Sequence, residues 1–156
     1  MIGHKRRIRA LQAIVAGLTP LAATSTSSLV NAEFDEVYKS RRLRHKDRRR
    51  LLQVLHSTRA LDSALSAFVS FHGCTTKTGK PPTGLGGYLT ALKEHSVTGL
   101  TNITETERSH FQKQIAKPRN RYMHQAGAFP VSETDLDVLL SEMHACLVRV
   151  ARLSRR

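Results

Sequence analysis

Apolar positions recur at helical spacing along most of the chain, and no stretch alternates as a half-buried strand does. Ile8, Leu11, Val15 and Leu18 fall on one face and predict a first helix over residues 5–18. Thr19-Pro20 closes it, because proline cannot continue the hydrogen-bond ladder. Residues 22–28 are small and hydroxyl-rich and read as a linker. A second helix starts near Asn31 and carries Phe34, Val37 and Tyr38 on one face. From Leu51 onward, Leu51, Val54, Leu55, Leu61, Leu65, Phe68 and Val69 line a further helical face. One unbroken helix over residues 33–71 would be about 58 Å long, too long for a domain of this size, so a break or an overhang is expected within the polar run before Leu51.

Residues 73–87, with Pro81-Pro82 and several glycines, predict a loop. Leu85, Leu89 and Leu92 begin another helix that fades towards Gly99. Thr104-x-x-Glu107 has the form of a capping box and predicts a helix carrying Phe111 and Ile115 inward. Pro118 then either kinks that helix or opens a new one at its first position. After Gly127-Ala128-Phe129-Pro130, Ser132 caps a last helix whose face is Leu136, Leu140, Met143, Leu147 and Val150. The fold class is all-α, a compact bundle of about five helices. Residues 1–30 form an N-terminal basic and apolar helix with its linker, and residues 31–156 form the bundle.

Charge changes the picture most. The 156 residues hold 25 Lys and Arg against 12 Asp and Glu, a formal net charge of +13. Such a surface attracts polyanions at long range, nucleic acid first and an anionic membrane surface second. The run Lys39, Arg41, Arg42, Arg44, Lys46, Arg48, Arg49 and Arg50 is the expected footprint for RNA, and its nearly uniform sign separates it from an ordinary solvated helix face. Arg149, Arg152, Arg155 and Arg156 either extend that footprint or complement the last helix dipole. No stretch is long enough to span a bilayer. The basic and apolar N-terminus has the layout of a secretory signal peptide. Gln12, Gly17, Thr19 and Pro20 interrupt it, however, and its helical periodicity favours an amphipathic helix on a core. A cytoplasmic protein is therefore expected, export being the alternative if residues 1–32 are a signal. Cys74 and Cys146 form no CxxC pair and no disulfide framework, and His72-Gly73-Cys74 lacks a second half for zinc. No metal and no cofactor are expected.

The residues suited to chemistry are Arg119-Asn120-Arg121-Tyr122-Met123-His124. Histidine titrates near neutrality and can exchange a proton with a ribose hydroxyl or a leaving oxygen. Arginine is a fixed cation that holds a phosphate through two parallel N–H bonds. Asn120 and His124 are i and i+4, hence neighbours on one helical face, where the amide can orient the imidazole or touch substrate. Tyr122 and Met123 read as packing residues, with stacking on a base the alternative for Tyr122. Taken alone, an Arg and a His at this spacing also occur as a solvated arginine and a packed histidine in basic helices.

Their context is a leucine helix with Leu85-Gly86-Gly87-Tyr88-Leu89-Thr90-Ala91-Leu92, a capped helix running into Arg-Asn-x-x-x-His, a Gly/Pro loop and a final amphipathic helix. This order resembles the HEPN family, small helical bundles of bacterial toxin–antitoxin, abortive-infection and CRISPR-linked ribonucleases. The resemblance covers about residues 33–154. It implies that Arg119 and His124 are catalytic and Asn120 supporting, with Arg121 among the RNA-binding cations. It implies metal-independent RNA cleavage in a homodimer whose two motifs share a cleft, with an antitoxin or defence-system partner. Two positions depart from the pattern. Ala126 stands where some family toxins carry a modifiable tyrosine, and Pro118 directly precedes the motif. A catalytically silent, HEPN-like RNA-binding or assembly module is the alternative, and an unrelated basic helical DNA binder is a third reading.

Overall fold

The computed structural model describes residues 4–153, and all its regular structure is helical. Eight α-helical segments and one π-helical segment are present among the described residues, more than the about five expected. The excess comes from short pieces. α1 (His4–Ala16) ends before Pro20, which opens the five-residue α2 (Thr19–Ala23) within its first turn, where a missing N–H costs nothing. Three of the residues read as linker, 26–28, instead begin α3 (Thr26–Ser40), which starts before Asn31. Ser25, left-handed at φ 56, makes the bend between α2 and α3.

The expected break in the basic run lies at residues 41–45, between α3 and α4 (Lys46–His72). α4 is the axis of the molecule and packs against α2, α3, α5, α7 and α8. That explains why Val54, Leu61, Leu65, Phe68 and Val69 are all buried, while Leu51 and Leu55 are only partly so. It stops at Gly73, whose φ of 65 is the left-handed cap that glycine adopts without a Cβ penalty. α5 (Gly84–Glu94) starts earlier than the predicted loop allows, so Gly86 and Gly87 lie inside a helix. A Cβ on Gly86 would sit 3.1 Å from Gln112 Oε1. A side chain there would need the Gln112 amide to give way by a few tenths of an ångström.

α6 (Glu105–Phe111) opens on the expected capping box, with Thr104 Oγ1 accepting from Glu107 N at 3.1 Å and Glu107 Oε2 accepting from Thr104 N at 2.7 Å. It then widens into a π segment (Gln112–Ala116) and continues as α7 (Lys117–His124). The Lys117 N–H donates to the Gln112 carbonyl, an i to i+5 bond that seats Pro118 without breaking the helix. α8 (Glu133–Ala151) begins on a second reciprocal box, Ser132 with Asp135. Its five predicted face residues, Leu136, Leu140, Met143, Leu147 and Val150, are all buried. Ile8, Leu11, Val15 and Leu18 of the N-terminal segment join the same hydrophobic cluster as α3, α4 and α8. Arg7 ties α1 to α8 by donating to the Asp137 carbonyl at 3.0 Å.

Candidate functional site

α7 is held on the bundle by its C-terminal half, where Tyr122 and Met123 pack against the core. Its other side chains divide by exposure. Asn120, Arg121 and His124 are exposed, and Arg119 is half-buried. Arg119 donates through Nη1 to Asn120 Oδ1 at 2.9 Å, so the amide engages its neighbouring guanidinium. No hydrogen bond from Asn120 to His124 is formed among the described residues, although the two share a face. His124 closes α7 and also differs from His56 and His110. Those two are held by Glu33 and Glu142 at 2.7 and 2.6 Å, whereas no such carboxylate partner holds His124 among the described residues. Arg119 and His124 lie five residues apart on a regular helix, so they point about 140° from each other.

The buried side of Arg119 meets a residue that sequence reasoning missed. Asp62 of α4 is pushed above the usual carboxylate range by burial, and the Arg119 charge pulls it partly back. Neither group finishes its hydrogen bonding. Asp62 Oδ1 and Arg119 Nε are both covered and without a partner, as are Thr58 Oγ1, one turn before Asp62, and Gln112 Oε1 in the π segment. An unsatisfied buried polar atom costs stability, so the open hydrogen-bonding capacity on both Asp62 and Arg119 is a cost that the fold carries at this place. The signal available in the sequence was a carboxylate set among Leu61, Ala64 and Leu65 of an otherwise apolar stripe.

The basic run divides in two. Arg41, Arg42, Arg44, Lys46 and Arg48 are exposed. Arg49 and Arg50 turn instead to the start of α8. Arg49 Nη2 donates to Glu133 Oε1 at 2.6 Å, Arg50 Nε donates to the same oxygen at 3.2 Å, and Arg50 Nη1 donates to the Val131 carbonyl at 2.7 Å. The Arg49 guanidinium, helped by Arg50, holds Glu133 below the usual carboxylate range. Arg50 thereby sets the basic end of α4 against the loop that follows His124. Arg119 meets α4 at Asp62, twelve residues beyond Arg50, or about 18 Å along the axis. Arg149 of the C-terminal basic group is tied to Glu107 at 2.6 Å, and Arg155 and Arg156 lie outside the described residues.

Burial raises the thiol of Cys74 to about 11 and that of Cys146 to about 12, so both stay protonated at neutral pH. Among the described residues no group of three or more His, Cys, Asp or Glu is arranged to hold a metal ion. No helix among them is long and apolar enough to cross a membrane. No protein-family model, curated protein or solved structure matches the chain.

Proposed function

We propose that the chain is a metal-independent endoribonuclease of the HEPN type, working as a homodimer in a toxin–antitoxin or antiviral setting. The observation that carries this reading is α7 itself. Its Arg119–Asn120 pair and exposed His124 stand on one short helix, and a separate exposed basic run leads into the N-terminal end of α4. In the reaction, His124 takes the proton of a ribose 2′-hydroxyl and the freed oxygen attacks the adjacent phosphorus. The 5′-oxygen leaves and takes a proton from water, giving a 2′,3′-cyclic phosphate and a 5′-hydroxyl end, and His124 returns its proton to solvent. Arg119 stabilises the charge that builds on the phosphate oxygens. Asn120 holds the guanidinium in its present direction.

Induced expression of wild type beside His124→Ala and Arg119→Ala tests this. Wild type is expected to arrest growth and degrade RNA, and each variant to lose cleavage by roughly a hundredfold or more, the scale of a lost general base or charge stabiliser. Cleavage by purified wild type persists in EDTA, since a lone carboxylate beside a guanidinium is a poor divalent site. Variants that cleave like wild type overturn the reading. One observation favours the second reading, a catalytically silent RNA-binding or assembly module: Arg119 is half-buried, with its charge acting on the partly buried Asp62. Retained RNA binding without cleavage by wild type establishes that alternative.

A further inference from the structure

A cavity of about 300 Å³ that the reaction above does not use is lined by Arg41 just after α3, Arg49 and Gln53 of α4, and Glu133 and Asp137 of α8. Arg49 and Gln53 are four residues apart, as are Glu133 and Asp137, so each pair stands on one face of its helix. The charges around the cavity are unequal once their partners are included. Arg49 Nη2 and Arg50 Nε both donate to Glu133 Oε1, at 2.6 and 3.2 Å, and Arg7 Nη1 donates to Asp137 Oδ1 at 3.3 Å. Four guanidiniums, those of Arg7, Arg41, Arg49 and Arg50, thus stand against two carboxylates. Arg41 is the unclaimed one, exposed and with no side-chain partner among the described residues. Gln53 is a second, independent observation. It is 2% exposed, yet neither end of its amide is hydrogen-bonded among the described residues. Its Oε1 is sealed from solvent and takes no part, whereas Nε2 is not sealed. What the buried amide offers the cavity is therefore its N–H donors. The capacity left open by Arg41 and Gln53 is all of donors, so an occupant must accept.

We propose that this cavity is a phosphate subsite, in which Arg41 holds two phosphate oxygens through parallel N–H bonds and Gln53 Nε2 donates to a third. The planar fork of arginine suits that geometry. Arg49, Arg50 and Arg7 stay on the two carboxylates and offset their charge beside the anion, which meets a surplus of positive charge. A cation in the same place would meet Arg41 with no counter-ion. Gln53 and Asp62 are nine residues, or two and a half turns, apart on α4, so they stand on opposite faces and about 14 Å apart along its axis. The phosphate is therefore a different one from that met by Arg119. The inference goes beyond cleavage and does not depend on it. The phosphate belongs either to a nucleic-acid strand or to a free nucleotide.

Calorimetric titration of the full chain with inorganic phosphate at fixed ionic strength tests the subsite. Arg41→Gln and Gln53→Leu are each expected to weaken binding by roughly tenfold, the size of one hydrogen bond to a charged group. Lys80→Gln removes the same charge from an exposed position outside the cavity and is expected to leave the affinity nearly unchanged, since distant surface charges are screened. Gln53→Leu keeps the size of the side chain and removes an unpaired polar group, so without phosphate its Tm is expected to match or exceed that of wild type. Arg41 is exposed, so its variant reads the site whatever Gln53→Leu does to the fold. Two competitors then name the source of the phosphate. One is a short single-stranded DNA with hydroxyl ends, whose diesters cannot be cut by 2′-hydroxyl attack, and the other is AMP. DNA that displaces phosphate and binds both variants more weakly assigns the site to a strand. AMP that does so, with DNA affinity equal in wild type and both variants, assigns it to a nucleotide. Equal phosphate affinity in wild type, Arg41→Gln and Gln53→Leu, or an equal loss in those two and Lys80→Gln, overturns the subsite whether or not the chain cleaves RNA.

Discussion

Asp62 is balanced between two forces, burial that favours its neutral form and the Arg119 guanidinium that favours its charged one, with burial the stronger. Its pKa is thus higher in the folded chain than in the unfolded one. A carboxyl shifted this way contributes stability that is fully present below its unfolded pKa, about 4, and is lost as pH rises through the folded value. At neutral pH the ionised side chain therefore works against the fold. Asp62→Asn is expected to raise the Tm at pH 7 and to change it much less near pH 3, as thermal melts followed by circular dichroism at the two values would record. A variant less stable at both would mean that the carboxylate is a structural partner of Arg119. A residue kept at a cost to stability is a mark of a functional site. The sequence displayed Arg119, Asn120 and His124 because their types and spacing are local. Asp62 was not legible, since its meaning depends on which residue α7 lays against α4.

The same division holds for whole elements. Helices with a strong apolar period or a capping box were readable: α1, α4, α6 and α8 come out where the pattern put them, within a few residues. The glycine-bearing start of α5 and the π segment were not, since glycines read as loop and a π turn has no period of its own in the pattern. In the basic run, the sequence counts cations but cannot say which are already paired. Glu133, the partner of Arg50, lies 83 residues away. Two sets of substitutions should therefore behave differently. Replacing Arg42, Arg44 and Arg48 with Gln is expected to flatten the log–log dependence of RNA affinity on salt by up to about 2 units, near 0.7 for each phosphate that is no longer neutralised, with the Tm unchanged. Arg50→Gln is expected to lower stability by about 1 kcal/mol, the scale of a missing hydrogen bond to the α7–α8 loop, as denaturant melts can measure. An unchanged salt slope in the triple variant would place the RNA on another face.

At the scale of the molecule, the all-helical class followed from periodicity, whereas assembly depends on surfaces that a periodic pattern does not describe. The divergence of Arg119 and His124 around α7 does not favour both converging on one phosphate from a single helix. A two-fold contact between copies, as proposed, would bring two arginines and two histidines to one cleft. Mixing Arg119→Ala chains with His124→Ala chains is expected to restore partial cleavage, because a heterodimer keeps one of each residue. Neither variant alone should show it, and full specific activity from a strictly monomeric preparation would exclude the shared cleft.

The π segment also bears on ancestry. An i to i+5 turn holds one residue more than the α-helical turn it replaces, so it absorbs a single inserted residue while the helix beyond it keeps its phase. Removing one residue from 112–116 would close the bulge and leave Arg119 facing α4 as before. Relatives with an uninterrupted helix should then carry their Arg and His one position nearer the capping threonine, so an ungapped comparison would slip at this point and set the motif against the wrong column.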